Sequence, residues 1–330
     1  MRIILHRFLL LCMVLTGAVG VAAEAPPVRT DLTLAELSTG KTALELSGLA
    51  RWRGKLVGIS DGGEEHFLYE VVIKGNKLSL SRLLDLSKLT GYASYQKHLK
   101  ELTQFEEGSR RIDLEGIQVC GDDVYLINER VREVVRIVGG KTFELLPIKF
   151  DAVTELMTGG PNAGFEGLAA DCNGGHMYVA KERDPRRMIV VSMANWQVVD
   201  QFDVPSSDRA GQQVINIWTG QGLMKIGPDF AALDFEGGYL YALERGTYEI
   251  AKIDPKKKTV VARTSYYKHE KGLYETHEPF GVAEALLMDG KSIFVGIDNN
   301  QSPFTHRAAK EHGATGVGET LMRLYRPEGF

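Results

Sequence analysis

Cysteine is almost missing from this chain, with three in 330 residues, and no Cys/His cluster has the spacing of a zinc or other soft-metal site. Soft-metal chemistry is therefore excluded. Basic runs and basic–aromatic interleaving are also lacking, and the formal net charge is −4, which excludes nucleic acid as a partner. Long apolar runs are confined to one, Phe8–Gly17, too short to span a bilayer as a helix. Arg2 and Arg7 precede it and the small residues Val21-Ala22-Ala23 follow it, the layout of a secretory signal peptide over residues 1–23. The mature chain, residues 24–330, is then a single exported domain, periplasmic or secreted, taken as a monomer with no transmembrane anchor after cleavage.

What is present is repetition. The segment GFEGLAADCNGGHMYVAKER (Gly164–Arg183) has weaker copies at Leu46–Gly63, Asp113–Arg130, Asp229–Arg245 and Val282–Asn300. Equivalent anchors are Ser47, Glu115, Glu166, Ala231 and Glu284, spaced 68, 51, 65 and 53 residues apart. Spacing on this scale is the mark of a repeat architecture. Each copy reads as a strand from the anchor, a Gly- or Asp-containing turn, and a second apolar strand ending on an acid: Asp61, Glu129, Glu182, Glu244 or Asp298. Two more strand-like runs usually follow. Four short strands per repeat, arranged radially, make the blade of an all-β propeller. Five blades are expected, six if one copy has diverged. The last copy has only three strands, and the N-terminal run Arg29–Leu37 is expected to supply the fourth and protect the sheet edges at the seam.

Cys120 and Cys172 occupy nearly equivalent turns of adjacent copies. An oxidising compartment permits a bridge. Blade-to-blade spacing argues against the approach to within about 7 Å that a disulfide needs, so two thiols are expected, with the bridge as the alternative.

Propeller geometry carries each anchor and the acid about 14 residues later to one mouth of the central channel. Glu115, Glu166 and Glu284 converge innermost, with Asp61, Glu129, Glu182, Glu244 and Asp298 further out and Asp113 and Asp229 adding to the set; the candidate metal ligands are Glu115, Glu166, Glu284, Asp113 and Asp298. Crowded carboxylates take up protons or recruit a cation, and a flexible ring of hard oxygens suits Ca²⁺. Arg130, Arg183 and Arg245, each following an outer acid, and Lys181 offer contacts for a small anionic substrate. Cation, acid and arginines together are the parts of an ester hydrolase, with Glu115 and Glu166 as candidate catalytic carboxylates and His277, just before the fifth anchor, as a further catalytic candidate. Two alternatives stand beside this. The outer acids can pair with arginines of neighbouring blades, and the loop-covered face can bind an envelope ligand without catalysis.

Other features carry less. Gly58-Ile59-Ser60-Asp61-Gly62 matches a nucleophile elbow, but the following Phe67–Ile73 reads as a strand where the elbow needs a helix. Ser87–Gln104 has near-helical apolar spacing, and 151–162 and 205–228 are long loops; all three lead into the mouth face. His306 and His312 flank a polar stretch read as a loop within the last blade.

The trio DLEGI, GFEGLAAD with MYVAKER, and PFGVAEAL with IFVGIDNN resembles the exported proteins called esterase-like activity of phytase. The chain is also similar to the SdiA-regulated propeller family, through the Ser47–Leu49 and Asn162–Ala169 motifs. The likeness runs from about Leu44 to Tyr325. It implies a β-propeller, export, and a calcium-dependent esterase or phosphoesterase activity. Ala231-Ala232 and Ser47 depart from the Glu-Gly pattern, so the cation reading rests on Glu115, Glu166 and Glu284.

Overall fold

The computed structural model describes residues 27–42, 44–61, 66–102, 111–156, 163–183, 185–208, 213–215, 221–225, 227–275 and 281–330. The signal-peptide segment and His277 lie outside the described residues.

Two strands open the chain, β1 (Val28–Asp31) and β2 (Thr33–Thr39). The first four-stranded unit follows: β3 (Leu46–Trp52), β4 (Lys55–Ser60), β5 (Phe67–Lys74) and β6 (Lys77–Asp85). Helix α1 (Tyr92–Glu101) leads to the second, β7 (Leu114–Cys120), β8 (Asp123–Asn128), β9 (Glu133–Val138) and β10 (Thr142–Leu145). The third is β11 (Phe165–Asp171), β12 (His176–Lys181), β13 (Arg187–Ser192) and β14 (Gln197–Phe202). After a small hairpin, β15 (Gln213–Ile215) and β16 (Leu223–Lys225), comes the fourth: β17 (Ala232–Glu236), β18 (Tyr239–Glu244), β19 (Glu249–Asp254) and β20 (Thr259–Ser265). Helix α2 (Tyr267–Glu270) precedes the fifth, β21 (Ala283–Asp289), β22 (Ser292–Ile297) and, after α3 (His306–His312), β23 (Thr320–Tyr325).

Within each unit, consecutive strands pair antiparallel. The five first strands pack in a cycle: β3 on β7, β7 on β11, β11 on β17, β17 on β21, and β21 on β3. An apolar layer fills each gap between neighbouring units. Ile59 and Leu68 meet Ile117 and Leu126, for example, and Tyr178 and Val190 meet Leu233 and Leu240. A sheet covered on both faces has no polar face to present, so β22 (SIFVGI) is a continuous buried run without alternation. This is a β-propeller.

The seam differs in detail from the expectation. The run Arg29–Leu37 is split between two sheets. β2 pairs antiparallel with β23 and serves as fourth strand of the last unit. β1 lies parallel to β20 and extends the fourth unit. Leu32, between them, buries its side chain in the apolar layer joining these two units.

Local chemistry accounts for three further features, the first a correction. The stretch between His306 and His312 is a helix, capped by the Thr305 hydroxyl accepting from the Ala308 N–H at 3.2 Å and ended by Gly313 at φ 68°. Ser60 closes β4 and is buried, and the next described element is strand β5, so no nucleophile elbow forms. Helix α1 packs on β10 through Tyr92 and Tyr95 against Phe143, at the outer edge of the second unit.

Cys120 and Cys172 form a disulfide, with Cα atoms 5.6 Å apart. The expectation of two thiols fails because first strands of neighbouring units pack directly. A Cβ added at Gly116 in β7 would lie 3.0 Å from the Leu168 backbone nitrogen and 3.1 Å from the Glu166 carbonyl oxygen in β11. Glycine after the anchor is what lets adjacent strands come this close. The cysteines end β7 and follow β11 at the turn ends, away from the anchors.

Candidate functional site

The anchors owe their orientation to a repeated irregularity. In four first strands the register slips by one residue around the anchor: between Leu46 and Gly48, Leu114 and Gly116, Phe165 and Gly167, and Ala283 and Ala285. Ser47, Glu115, Glu166 and Glu284 are thus left without a cross-strand partner, as a β-bulge requires. In the fourth unit Ala231 donates its N–H to the Leu243 carbonyl while Ala232 is the residue paired with Leu243. The five anchors therefore sit at one end of the cycle of first strands.

Around them the acids form three overlapping groups whose carboxylate oxygens lie within 4.8 Å of one another: Glu45, Asp61 and Asp298; Asp113, Glu115 and Glu129; and Glu129, Glu166 and Glu182. Glu129 joins the last two. One of its oxygens accepts the Gly164 N–H at 3.0 Å. Gly164 approaches so closely that a Cβ there would lie 2.3 Å from the Glu129 carbonyl. Asp61 accepts the Ser47 hydroxyl at 3.1 Å, and Asp298 accepts the Asn300 N–H at 2.7 Å.

Glu115 and Glu166 stand apart. Both are buried, and neither has a hydrogen bond or ion pair among the described residues. Burial drives both carboxyls well above the usual range. The charges of Asp61 and Glu129 add to this for Glu115, and that of Glu129 for Glu166, where Arg245 pulls partly back. Burial and Asp298 raise Asp61 to about 6. Burial raises Glu129 to about 7 against the Gly164 N–H, and Asp298 to about 7 against the Asn300 N–H.

The cations are distributed unevenly. Arg130 pairs with Asp113. Arg183, whose side chain is 38% exposed, pairs with Glu182. Arg245 bridges three units: its Nε donates to Asp229 at 3.1 Å, one Nη to Glu182 at 2.8 Å, and the other to Glu284. Lys181 is fully buried and its ammonium donates to the Ala163 and Arg183 carbonyls, so it braces the loop and faces no substrate. Glu244 also leaves the mouth. It pairs with Arg263 and, at 2.7 Å, with Arg186, forming a buried link between the third and fourth units. Neighbour-unit pairing thus accounts for Glu244 and for part of Glu182.

The mouth therefore gathers the expected Asp61, Asp113, Glu115, Glu129, Glu166, Glu182 and Asp298 with the added Glu45, and it engages Glu284 through Arg245. Glu45 was missed by reading anchors alone. It lies two residues before Ser47, the offset at which Asp113 precedes Glu115 and Asp229 precedes Ala231, and that shared offset is the signal that finds it.

The glutaminyl cyclase of Myxococcus xanthus aligns over 91% of this chain and 97% of its own, at 13% identity and a TM-score of 0.53. That likeness is one of fold. The PQQ-bound aldose sugar dehydrogenase of Streptomyces coelicolor (11% identity, 91% and 99% covered, TM-score 0.46) and the virginiamycin B lyase of Staphylococcus aureus (9%, 90% and 100%, TM-score 0.39) are also similar. No curated protein sequence matches the chain. Residues 107–289 match the family model described as SdiA-regulated.

Proposed function

The chain belongs to the SdiA-regulated family, and from that premise we propose an exported five-bladed propeller, sealed by β2 against β23, whose mouth holds Ca²⁺ and hydrolyses a small anionic ester, a phosphoester foremost. The observation that carries this reading is the pair Glu115 and Glu166, buried carboxylates with no protein partner among the described residues. Burial and the neighbouring carboxylates make both costly to ionise, and a hard divalent cation held beside them offsets that cost. The donor set fits: every candidate ligand is a carboxylate oxygen.

Glu166 and Glu129 would hold the ion, with Asp113 beside Glu129, while Asp298 belongs to the separate group with Glu45 and Asp61. When bound, the cation polarises the ester and stabilises developing negative charge. Glu115 takes the proton from the attacking water. Arg183 keeps part of its guanidinium exposed at the rim and orients the anion. Arg130 and Arg245 are engaged by acids, which leaves them to shape the field around the substrate. Export accords with the disulfide. Among the described residues no helix is long and apolar enough to cross a membrane.

A second reading draws on the same ion pairs. With Arg130 and Arg245 consumed internally, the mouth is a cation-stiffened binding surface for an envelope ligand. Thermal unfolding of the mature protein in EDTA and after return of Ca²⁺, beside Glu166→Gln, tests the cation. A folded-state site raises stability by about 2.7 kcal/mol at a hundredfold excess over Kd, and Glu166→Gln is expected to abolish the rise. A phosphoester screen then separates the two readings, since turnover lost in Glu115→Gln with calcium binding retained supports hydrolysis. No calcium response in the wild type overturns both.

A further inference from the structure

Four of the five units bring an anchor acid or an outer acid to the mouth, and the fourth brings neither. Its anchor is Ala231, and its outer acid Glu244 is committed to Arg186 and Arg263. What it presents instead is Arg245, whose side chain is 17% exposed and reaches acids of the third, fourth and fifth units. We propose that Arg245 is the chain's own resident cation: it fills the fourth-unit sector of the mouth, removes Glu284 and Asp229 from the ligand set, and confines the divalent ion to the adjoining arc around Glu129 and Glu166. This rests on the cation reading above.

Three features support it. Arg245 engages one oxygen each of Glu182 and Glu284, and the second oxygen of each is buried without a hydrogen-bond partner. Glu284 is thus oriented toward Arg245, and Glu182 toward Arg245 and Arg183 together. Asp229 is saturated by protein, accepting from the Arg245 Nε on one oxygen and from the Gly246 N–H at 3.2 Å on the other. Glu284, the fifth anchor, sits in its bulge as Glu115 and Glu166 do, yet it alone of the three has an arginine partner. Arg245 is a positioning residue here, since it sets where an ion is bound without touching it.

The test reads calcium stoichiometry and affinity by calorimetry, with terbium luminescence as a second probe, on the full mature chain. Glu284→Gln is expected to keep the wild-type stoichiometry with Kd changed by less than about threefold, whereas Glu166→Gln loses tenfold or more. Arg245→Gln, which frees Asp229, Glu182 and Glu284 together, is expected to take up one more Ca²⁺ per chain than wild type. Arg245→Lys keeps the charge and the wild-type number. Glu284→Gln weakening binding as strongly as Glu166→Gln overturns the proposal, as does a cooperatively folded Arg245→Gln with unchanged stoichiometry. Should Arg245→Gln fail to fold, the Glu284→Gln and Glu166→Gln comparison decides. Absence of calcium binding in the wild type overturns the cation reading itself and this inference with it. Wild-type binding with either contrary variant result overturns the inference alone.

Discussion

Replacing Cys120 and Cys172 together by serine removes a link between β7 and β11 that closes a loop of sequence separation 52. In the chain-entropy treatment, a loop of that length restricts the unfolded chain by about 4 kcal/mol at 25 °C. The native side requires no rearrangement to accept the bond, because the Cα separation of 5.6 Å lies inside the ordinary range. For a chain of some 300 residues, an unfolding entropy near 2.1 cal/mol/K per residue gives about 0.6 kcal/mol per degree, so Tm should fall by about 6–7 °C. The assay is calorimetry on wild type with and without reductant beside the double serine variant. Reduced wild type and the variant should coincide, because reductant can reach the exposed Cys172. The bond lies at the turn ends of its strands, so the calcium-dependent shift should persist in both. A variant melting within a degree of oxidised wild type, together with two titratable thiols in the unreduced unfolded mature chain, would refute the reasoning.

Gly167→Ala should cost about 1–3 kcal/mol in chemical denaturation, because the new methyl meets Leu233 at 2.6 Å and the first strands must part. Glu244→Ala should cost about 3–5 kcal/mol in the same assay by leaving the buried Arg186 without its acid and Arg263 with only the longer pair to Glu249 at 3.6 Å. Asp234 is buried, accepts the N–H groups of Met288 at 2.6 Å and Phe235 at 2.8 Å, and has its pKa raised by burial to about 7. Between the unfolded value near 4 and that folded value the native state binds the extra proton, so its contribution is complete below about pH 4 and is lost as pH rises to about 7. Asp234→Asn should flatten the fall in Tm over that window, and an unchanged slope would count against the assignment.

The repeat was legible because each unit must bury both faces of its sheet, which forces apolar strands between turn residues at every copy. The anchors were legible for a related reason. Glu-Gly at 115–116 and 166–167 records a bulge followed by a close approach, and both leave a mark in one sequence. The disulfide was not, since its spacing depends on how near β7 lies to β11, a distance set by packing across units. Nor was the partner choice of the arginines. Arg130, Arg183 and Arg245 follow equivalent acids, yet one stays within its unit, one neutralises its neighbour in sequence, and one spans three units. Those outcomes depend on which anchor is Ala and which is Glu. Helix α3 carries its signal in Thr305 and Gly313 at its ends, but its polar composition reads as a loop.

The register slip at the anchors has a consequence for how such a mouth can diversify. A residue outside the ladder has no cross-strand mate to offend, so exchanging it leaves pairing, twist and the layers between units as they were. Four such sockets in this one chain already hold serine in one and glutamate in three on the same frame. The frame behaves as a holder with replaceable inserts, and related chains can alter what the mouth accepts one insert at a time.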